Sequence, residues 1–139
     1  MKRKIEKIKL QTFFDDSDGI LTIAEAQKNI CFDIKRVFFI YDLKSNNAIR
    51  GKHAHKKIQQ AIFCIQGSCQ IKLDDCNETT EILLDKPDLG ILIPPMVWNI
   101  LYNFSDNCIL LVLASDYFDE KEYIRDYEKF KILCKKNID

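Results

Sequence analysis

Apolar residues along most of this chain recur at a spacing of two, the period of a strand with one buried face. Ile5, Ile8 and Leu10 alternate with lysines, which predicts a strand over 4–13. Asp15-Asp16-Ser17-Asp18-Gly19 is a turn cluster, and 19–25 reads as a second strand. Residues 27–34 are expected as a loop with a short helical turn. Arg36 to Leu43 is rich in β-branched and aromatic residues and predicts a third strand, ended by a turn over 44–47. From there the chain reads as a meander, with strands over 49–56, 60–66, 68–74, 79–84, 89–93, 97–103 and 107–114. Turn residues stand between them, such as Gln66-Gly67, Asp74 to Asn77 and Pro94-Pro95. Cys108 to Leu113 is apolar at every position, as in a central strand.

The last segment changes period. Glu120, Tyr123, Ile124, Tyr127, Phe130 and Lys131 fall three and four apart, which predicts one amphipathic helix over 120–134 on the outside of a β-barrel. Asp119 or Asp116 is its expected cap. The aromatic stripe of this helix reads as core packing.

Composition adds bounds. A chain of 139 residues suits one domain, and an apolar fraction of 47% is enough for a full core. Lys+Arg and Asp+Glu are 21 each, so bulk charge does not call for nucleic acid. Six cysteines contain no Cys-x-x-Cys pair and several lie in apolar runs; they are expected as buried, reduced thiols. The N-terminal stretch lacks the apolar centre of a signal peptide, and no apolar run approaches the roughly 20 residues that span a bilayer. The protein is expected to be soluble and cytoplasmic, with no membrane partner.

The chemistry concentrates in residues 50–67. The only two histidines, His53 and His55, are here, on one face of an expected strand. Gly51, His53-Ala54-His55, Gln60 and Gly67, followed by Gly90, Pro94-Pro95, Trp98-Asn99 and Asn103, resemble the two motifs of the cupin superfamily. That resemblance implies a double-stranded β-helix, the jelly-roll barrel, with one C-terminal helix. In metal-binding cupins a Glu stands at the position of Gln60 and a His at that of Asn99. Two neutral amides with no carboxylate are a poor set for a divalent ion, so no metal is expected. The imidazoles would then be free to move protons.

A narrower resemblance spans about residues 5–132. Arg50 to Lys57, Gly67-Ser68-Cys69, Leu73-Asp74-Asp75, Pro94-Pro95-x-x-Trp98, and Leu113 through Tyr123-Ile124-Arg125-x-Tyr127 resemble the dTDP-sugar 3,4-ketoisomerases, a branch of the WxcM-like cupins. The resemblance implies conversion of dTDP-4-keto-6-deoxyglucose to a 3-keto-6-deoxyhexose through an enediol, without metal or redox cofactor. It implies His53 and His55 as the acid/base pair, with His55 nearer the reacting carbons or the two roles reversed. Arg50, Lys52 or Arg36 would meet the diphosphate. Arg50 falls on the face opposite His53 unless the strand bulges at Gly51. Trp98, Tyr102 or Phe39 would stack on thymine, and Gln60 and Asn99 would line the pocket. Two departures from the pattern, Asn99 and Asp18, bear on the product's configuration at C4. A homodimer with exchanged N-terminal strands from 1–26 is also implied. A metal-dependent cupin enzyme and a non-catalytic nucleotide-sugar binder are the competing expectations.

Overall fold

A computed structural model describes residues 4–45 and 47–136. Asn46, inside the turn expected over 44–47, lies outside the described residues. Twelve strands and one helix are present among them: β1 Glu6–Lys9, β2 Gln11–Phe14, β3 Ile20–Ile23, β4 Arg36–Ile40, β5 Arg50–His55, β6 Gln60–Gln66, β7 Cys69–Asp74, β8 Thr79–Leu84, β9 Leu89–Ile93, β10 Trp98–Tyr102, β11 Ile109–Ala114, β12 Tyr123–Ile124 and α1 Tyr127–Lys136. The seven strands expected between 49 and 114 are all formed, within two residues of their predicted ends.

The strands assemble into two five-stranded antiparallel sheets, ordered β1-β9-β6-β11-β4 and β12-β5-β10-β7-β8, with β2 and β3 as a separate hairpin. This is the all-β jelly-roll barrel that the motif frame implies. Alternation places Ile62 and Cys64 of β6, Ile71 and Leu73 of β7, Leu101 of β10 and Leu110 and Val112 of β11 in one interior cluster between the sheets. A second cluster covers the outer face of the first sheet, where Ile30 and Phe32 of the 24–34 loop pack on Phe63 and Leu92. A third lies beneath α1, where Ala54, Trp98 and Ile124 meet Phe130.

Three expectations need correcting. The strand over 4–13 is two strands. The chain changes partner at Leu10: its amide makes the last bond along the β9 edge, to the Asp88 carbonyl (2.8 Å), Gln11–Phe14 pair with β3 instead, and Leu10 itself is buried. The helix over 120–134 forms only in its second half. Residues 120–122 make a 3₁₀ turn, with Asp119 accepting from the Lys121 amide (3.0 Å). Tyr123 and Ile124 then pair with His55 and Ala54 as the edge strand of the second sheet. Asp126 caps the true helix, accepting from the amides of Glu128 (2.9 Å) and Lys129 (3.2 Å). Strand pairing wins because it satisfies the edge of β5, buries Ile124 under α1 on one side and sets Tyr123, half-buried, on the barrel cavity wall on the other. The third correction concerns the thiols. Cys76 and Cys134 form a disulfide that ties the β7–β8 turn to α1 (Cα–Cα 5.9 Å), and Cys31 is exposed, leaving Cys64, Cys69 and Cys108 as the buried thiols.

One irregularity positions the site. Between β5 and β10, Asn99 pairs with His53, but the next residue, Ile100, pairs with Gly51, so Lys52 is an extra residue in β5. Gly51 and Lys52 both have positive φ, +83° and +55°. A Cβ on Gly51 would lie 2.7 Å from the Asn99 Oδ1 and 2.9 Å from its carbonyl oxygen. Conformation and space both require glycine here. Gly51→Ala is expected to lower unfolding free energy by about 1–3 kcal/mol, measured as a reduced urea midpoint. An unchanged midpoint would contradict this account of the bulge.

Candidate active site

The bulge reverses the alternation of β5. His53 and Arg50 therefore both turn into the barrel, although an unbroken strand would place them on opposite faces. They line a cavity of about 210 Å³, together with Gln60 of β6, Asn99 of β10, and Tyr123 and Arg125. The rest of the wall is apolar, including Ile62, Leu101 and Val112. A larger cleft of about 520 Å³ lies beside β12, lined by Lys56, Lys57, Tyr117 and Phe118, but holds no imidazole. The barrel cavity is the one where an imidazole, a phenol and two guanidinium groups meet on an otherwise largely apolar wall.

His53, His55 and Tyr123 form a three-ring cluster. The His53 and His55 centroids are 4.9 Å apart with planes at 84°, and Tyr123 lies 4.9 Å from the first and 4.5 Å from the second. His53 Nδ1 is 3.0 Å from the Gly51 carbonyl oxygen. A carbonyl can only accept, so Nδ1 carries the proton and Nε2 keeps a lone pair. Burial holds His53 below the usual imidazole pKa, aided by the Arg125 charge, although its bond to Gly51 acts the other way. His55 is 3% exposed, and neither of its ring nitrogens has a hydrogen-bond partner among the described residues. Burial, then the neighbouring His53, Arg36 and Arg125, push it down to about 3. Both rings are therefore neutral near pH 7 and able to accept a proton.

Arg36, on β4, shares its inward face with Phe38 and Ile40 of the cavity wall. Its Nε and one terminal nitrogen are buried without an acceptor among the described residues. The guanidinium sits 5.3 Å from the Phe38 ring centroid and 5.8 Å from that of Phe118. Buried guanidinium nitrogens without an acceptor are costly even on a half-buried arginine, and an anion brought beside them would relieve that cost. Arg125 instead holds Glu120 through two hydrogen bonds (2.7 and 3.1 Å) and lies over the Tyr123 ring at 4.4 Å.

The expected site residues thus separate into two groups. Arg36, Arg50, His53, His55, Gln60 and Asn99 gather in or beside the cavity. Lys52, Trp98 and Tyr102 do not. Lys52 and Trp98 border a shallow outer groove with Tyr127. Trp98 packs on Tyr127 (5.2 Å) and Phe130 (5.6 Å) under α1, and Tyr102 donates to Glu81 (2.9 Å) on the outer face. The reason is parity: on β10, positions 98, 100 and 102 point out where 99 and 101 point in. Phe39 is likewise exposed on the outside of β4. Of the two histidines, whose roles the sequence leaves open, His53 is on the cavity wall and His55 is not. Tyr123 and Arg125 were not singled out from the sequence as site residues. Both stand in the Tyr123-Ile124-Arg125 stretch, and the helical spacing assigned to it concealed their shared edge with β5.

The cupin frame raises the question of a metal. Its four ligand positions here hold two imidazoles and two amides. Asn99, 3% exposed, spends its amide nitrogen on the His53 carbonyl (3.1 Å). With no carboxylate, and with one amide committed to the backbone, this donor set does not suit a divalent first-row ion.

Residues 2–135 match the family described as FdtA: WxcM-like, C-terminal. The chain is 50% identical over 116 residues to a TDP-4-oxo-6-deoxy-alpha-D-glucose-3,4-oxoisomerase of Aneurinibacillus thermoaerophilus, covering 84% of this chain and 83% of that protein. It superposes with a TM-score of 0.92 and 39% identity on a histidine-to-asparagine variant of the 3,4-ketoisomerase QdtA from Thermoanaerobacterium thermosaccharolyticum, solved with TDP-4-keto-6-deoxyglucose, over 96% of both chains. It also matches WlaRA, a TDP-fucose-3,4-ketoisomerase from Campylobacter jejuni, at a TM-score of 0.89 and 38% identity, over 96% of this chain and 98% of that one. A family match over residues 2–135 and 50% identity across 84% of the chain show that this protein belongs to the WxcM-like FdtA family.

Proposed function

We propose that this protein is a dTDP-4-keto-6-deoxyglucose 3,4-ketoisomerase, and that His53 is the base. The observation that carries the residue assignment is the His53 ring, fixed with its Nε2 lone pair free on the wall of the barrel cavity. The relatives' named reaction supplies the substrate class. A proton at C3 is acidic because the adjacent C4 ketone accepts the charge. It passes to His53 Nε2, the electron pair forms the C3–C4 double bond, and O4 becomes an oxyanion. A proton moves from O3 to O4, one returns to C4, and the ketone now stands at C3. Arg36, unpaired beside the histidines, is the proposed partner of the oxyanion. Arg50, which makes no ion pair among the described residues, is the proposed contact of the diphosphate, and Gln60 and Asn99 border the sugar. Tyr123, against both imidazoles, positions their planes, and His55 acts as a neutral second ring that orients His53 or passes on its proton.

We further assign the active form as a homodimer. Phe14 (79% exposed), Ile20 and Leu21 on the β2–β3 hairpin, and Val37, Phe39 and Tyr41 on or just beyond the edge strand β4, form the apolar exposure that a second copy would cover. Exchange of the N-terminal strands and a single domain over 1–139 belong to the same proposal. Among the described residues no helix is long and apolar enough to cross a membrane. The reading puts the enzyme in the cytoplasm with its nucleotide-linked substrate. Its product would feed an aminotransferase that makes 3-amino-3,6-dideoxy sugars for surface glycans such as lipopolysaccharide.

Incubation with dTDP-4-keto-6-deoxyglucose in heavy water, followed by NMR, should show a 3-keto product carrying deuterium at C4. His53→Asn should slow this by about 10²–10⁴-fold while the barrel stays folded. Undiminished deuterium uptake in that variant would sink the assignment, and tight binding without turnover by the unaltered protein would identify a binding module instead. The histidines also set a pH dependence. Their folded pKa values are depressed, so the unfolded chain takes up protons first as pH falls below the ordinary imidazole value of about 6.5. Stability should therefore fall between pH 6.5 and about 3, with His55 alone contributing up to about 1.4 kcal/mol per pH unit. Urea midpoints at pH 7, 6 and 5 measure the slope, and His55→Asn should flatten it.

A further inference from the structure

The interior of the barrel is layered along its strands. Gln60, Ile62 and Cys64 point inward from β6 at successive alternate positions. Cys64 is therefore about 13 Å along the strand from Gln60 and the histidine cavity. At that far end the first sheet brings Cys64 and Cys108, the residue just before β11, and the second sheet brings Cys69, the first residue of β7. Their three sulfur atoms lie within 4.8 Å of one another, and Cys64 and Cys108 are 3.6 Å apart. All three are buried, at 0%, 0% and 2% exposure. None touches the proposed substrate cavity, and the proposed reaction does not use them.

Three sulfurs converging from two sheets are unusual chemistry for an apolar layer. A metal–sulfur bond of about 2.3 Å in trigonal geometry requires sulfurs about 4.0 Å apart. The separations here, 3.6 Å for Cys64 and Cys108 and no more than 4.8 Å for any pair, are close to that value, so a metal ion would seat with little strand movement. The surroundings select its class. Leu84, Phe104 and Leu110 belong to the same cluster and offer no oxygen donor, which disfavours hard ions such as Mg²⁺ or Ca²⁺. The Gln66 carbonyl already accepts from the Cys64 thiol (3.2 Å). Charge selects further: a divalent ion with two thiolates and one thiol is neutral, and with three thiolates the site carries a single negative charge. Each thiolate formed releases its proton to solvent.

We propose that Cys64, Cys69 and Cys108 form a three-sulfur site for a soft divalent d¹⁰ cation, Zn²⁺ or its probe Cd²⁺, at the closed end of the barrel. Bound there, the ion would cross-link β6, β7 and the entry to β11, joining the two sheets at the end remote from the histidines. Its effect would be on stability rather than on proton transfer. The reading is independent of the proposed substrate and reaction.

The test uses the full-length protein under anaerobic conditions, loaded with Cd²⁺ or Zn²⁺ both by direct addition and by refolding in the presence of the ion, then desalted. One ion per chain should remain, with thiolate-to-Cd²⁺ charge-transfer absorption and a raised melting temperature. X-ray absorption on the Zn²⁺-loaded protein should show a first shell dominated by about three sulfurs near 2.3 Å. Cys69→Ala should lose the ion and the absorption band, while Cys31→Ser, a change at an exposed thiol outside the cluster, should keep both. No ion retained by either route, retention undiminished in Cys69→Ala, or a first shell dominated by nitrogen or oxygen would each overturn the proposal. The absorption measurement needs no variant, so it decides the matter even if Cys69→Ala does not fold.

Discussion

One extra residue in β5 organises the site. Side chains alternate across a strand, so Arg50 and His53 should face opposite ways. The insertion of Lys52 opposite β10 removes one step of the alternation, and both side chains enter the barrel. Gly51 permits this because its positive φ and its close approach to Asn99 leave no room for a Cβ. The same few residues also fix the chemistry. The Gly51 carbonyl holds His53 Nδ1, and Asn99 donates to the His53 carbonyl. Backbone geometry and the imidazole tautomer are therefore one constraint. Asn99 shows how a position that holds a ligand in metal cupins can become a tie between strands.

Burial does the rest. In the barrel the cost of charging an imidazole outweighs its ordinary basicity near neutral pH, so both histidines stay neutral. Neighbouring guanidinium groups push in the same direction. A neutral imidazole is the form that can take a proton from carbon. The same surroundings leave two buried nitrogens of Arg36 without an acceptor among the described residues, and their natural complement is an anion that arrives or develops during reaction. Two features that would each be a liability to stability are in this way compatible with one another and with enolate chemistry.

Much of the architecture was legible in the sequence because it rests on local alternation. From β5 to β11 the apolar pattern and the turn residues agree, and no competing interaction overrides them. The 120–134 segment was misread for a definite reason. Tyr123 and Ile124 fit a helical stripe with Tyr127 and Phe130, but they equally fit a two-residue strand with one side chain on each face. The unpaired edge of β5, created far away in the chain, selected the strand. Trp98 and Tyr102 lie outside the barrel cavity through a question of parity on β10, which a one-residue shift of register decides. The Cys76–Cys134 disulfide and the convergence of Cys64, Cys69 and Cys108 were likewise invisible, since no short spacing announces them.

The sequence by itself determined the strands from β5 to β11, the presence of two histidines on one short segment, and the absence of the carboxylate and the third histidine that a metal would need. Those are matters of residue type and near-neighbour spacing. Only the tertiary structure decided which of these groups meet. It turned Arg50 inward, brought Arg36 from β4 and Tyr123 from the edge strand beside the histidines, and gave His53 rather than His55 the cavity wall. The reason is physical: face, burial and hydrogen-bond partner depend on register between strands distant in the chain, and a single inserted residue changes all three at once.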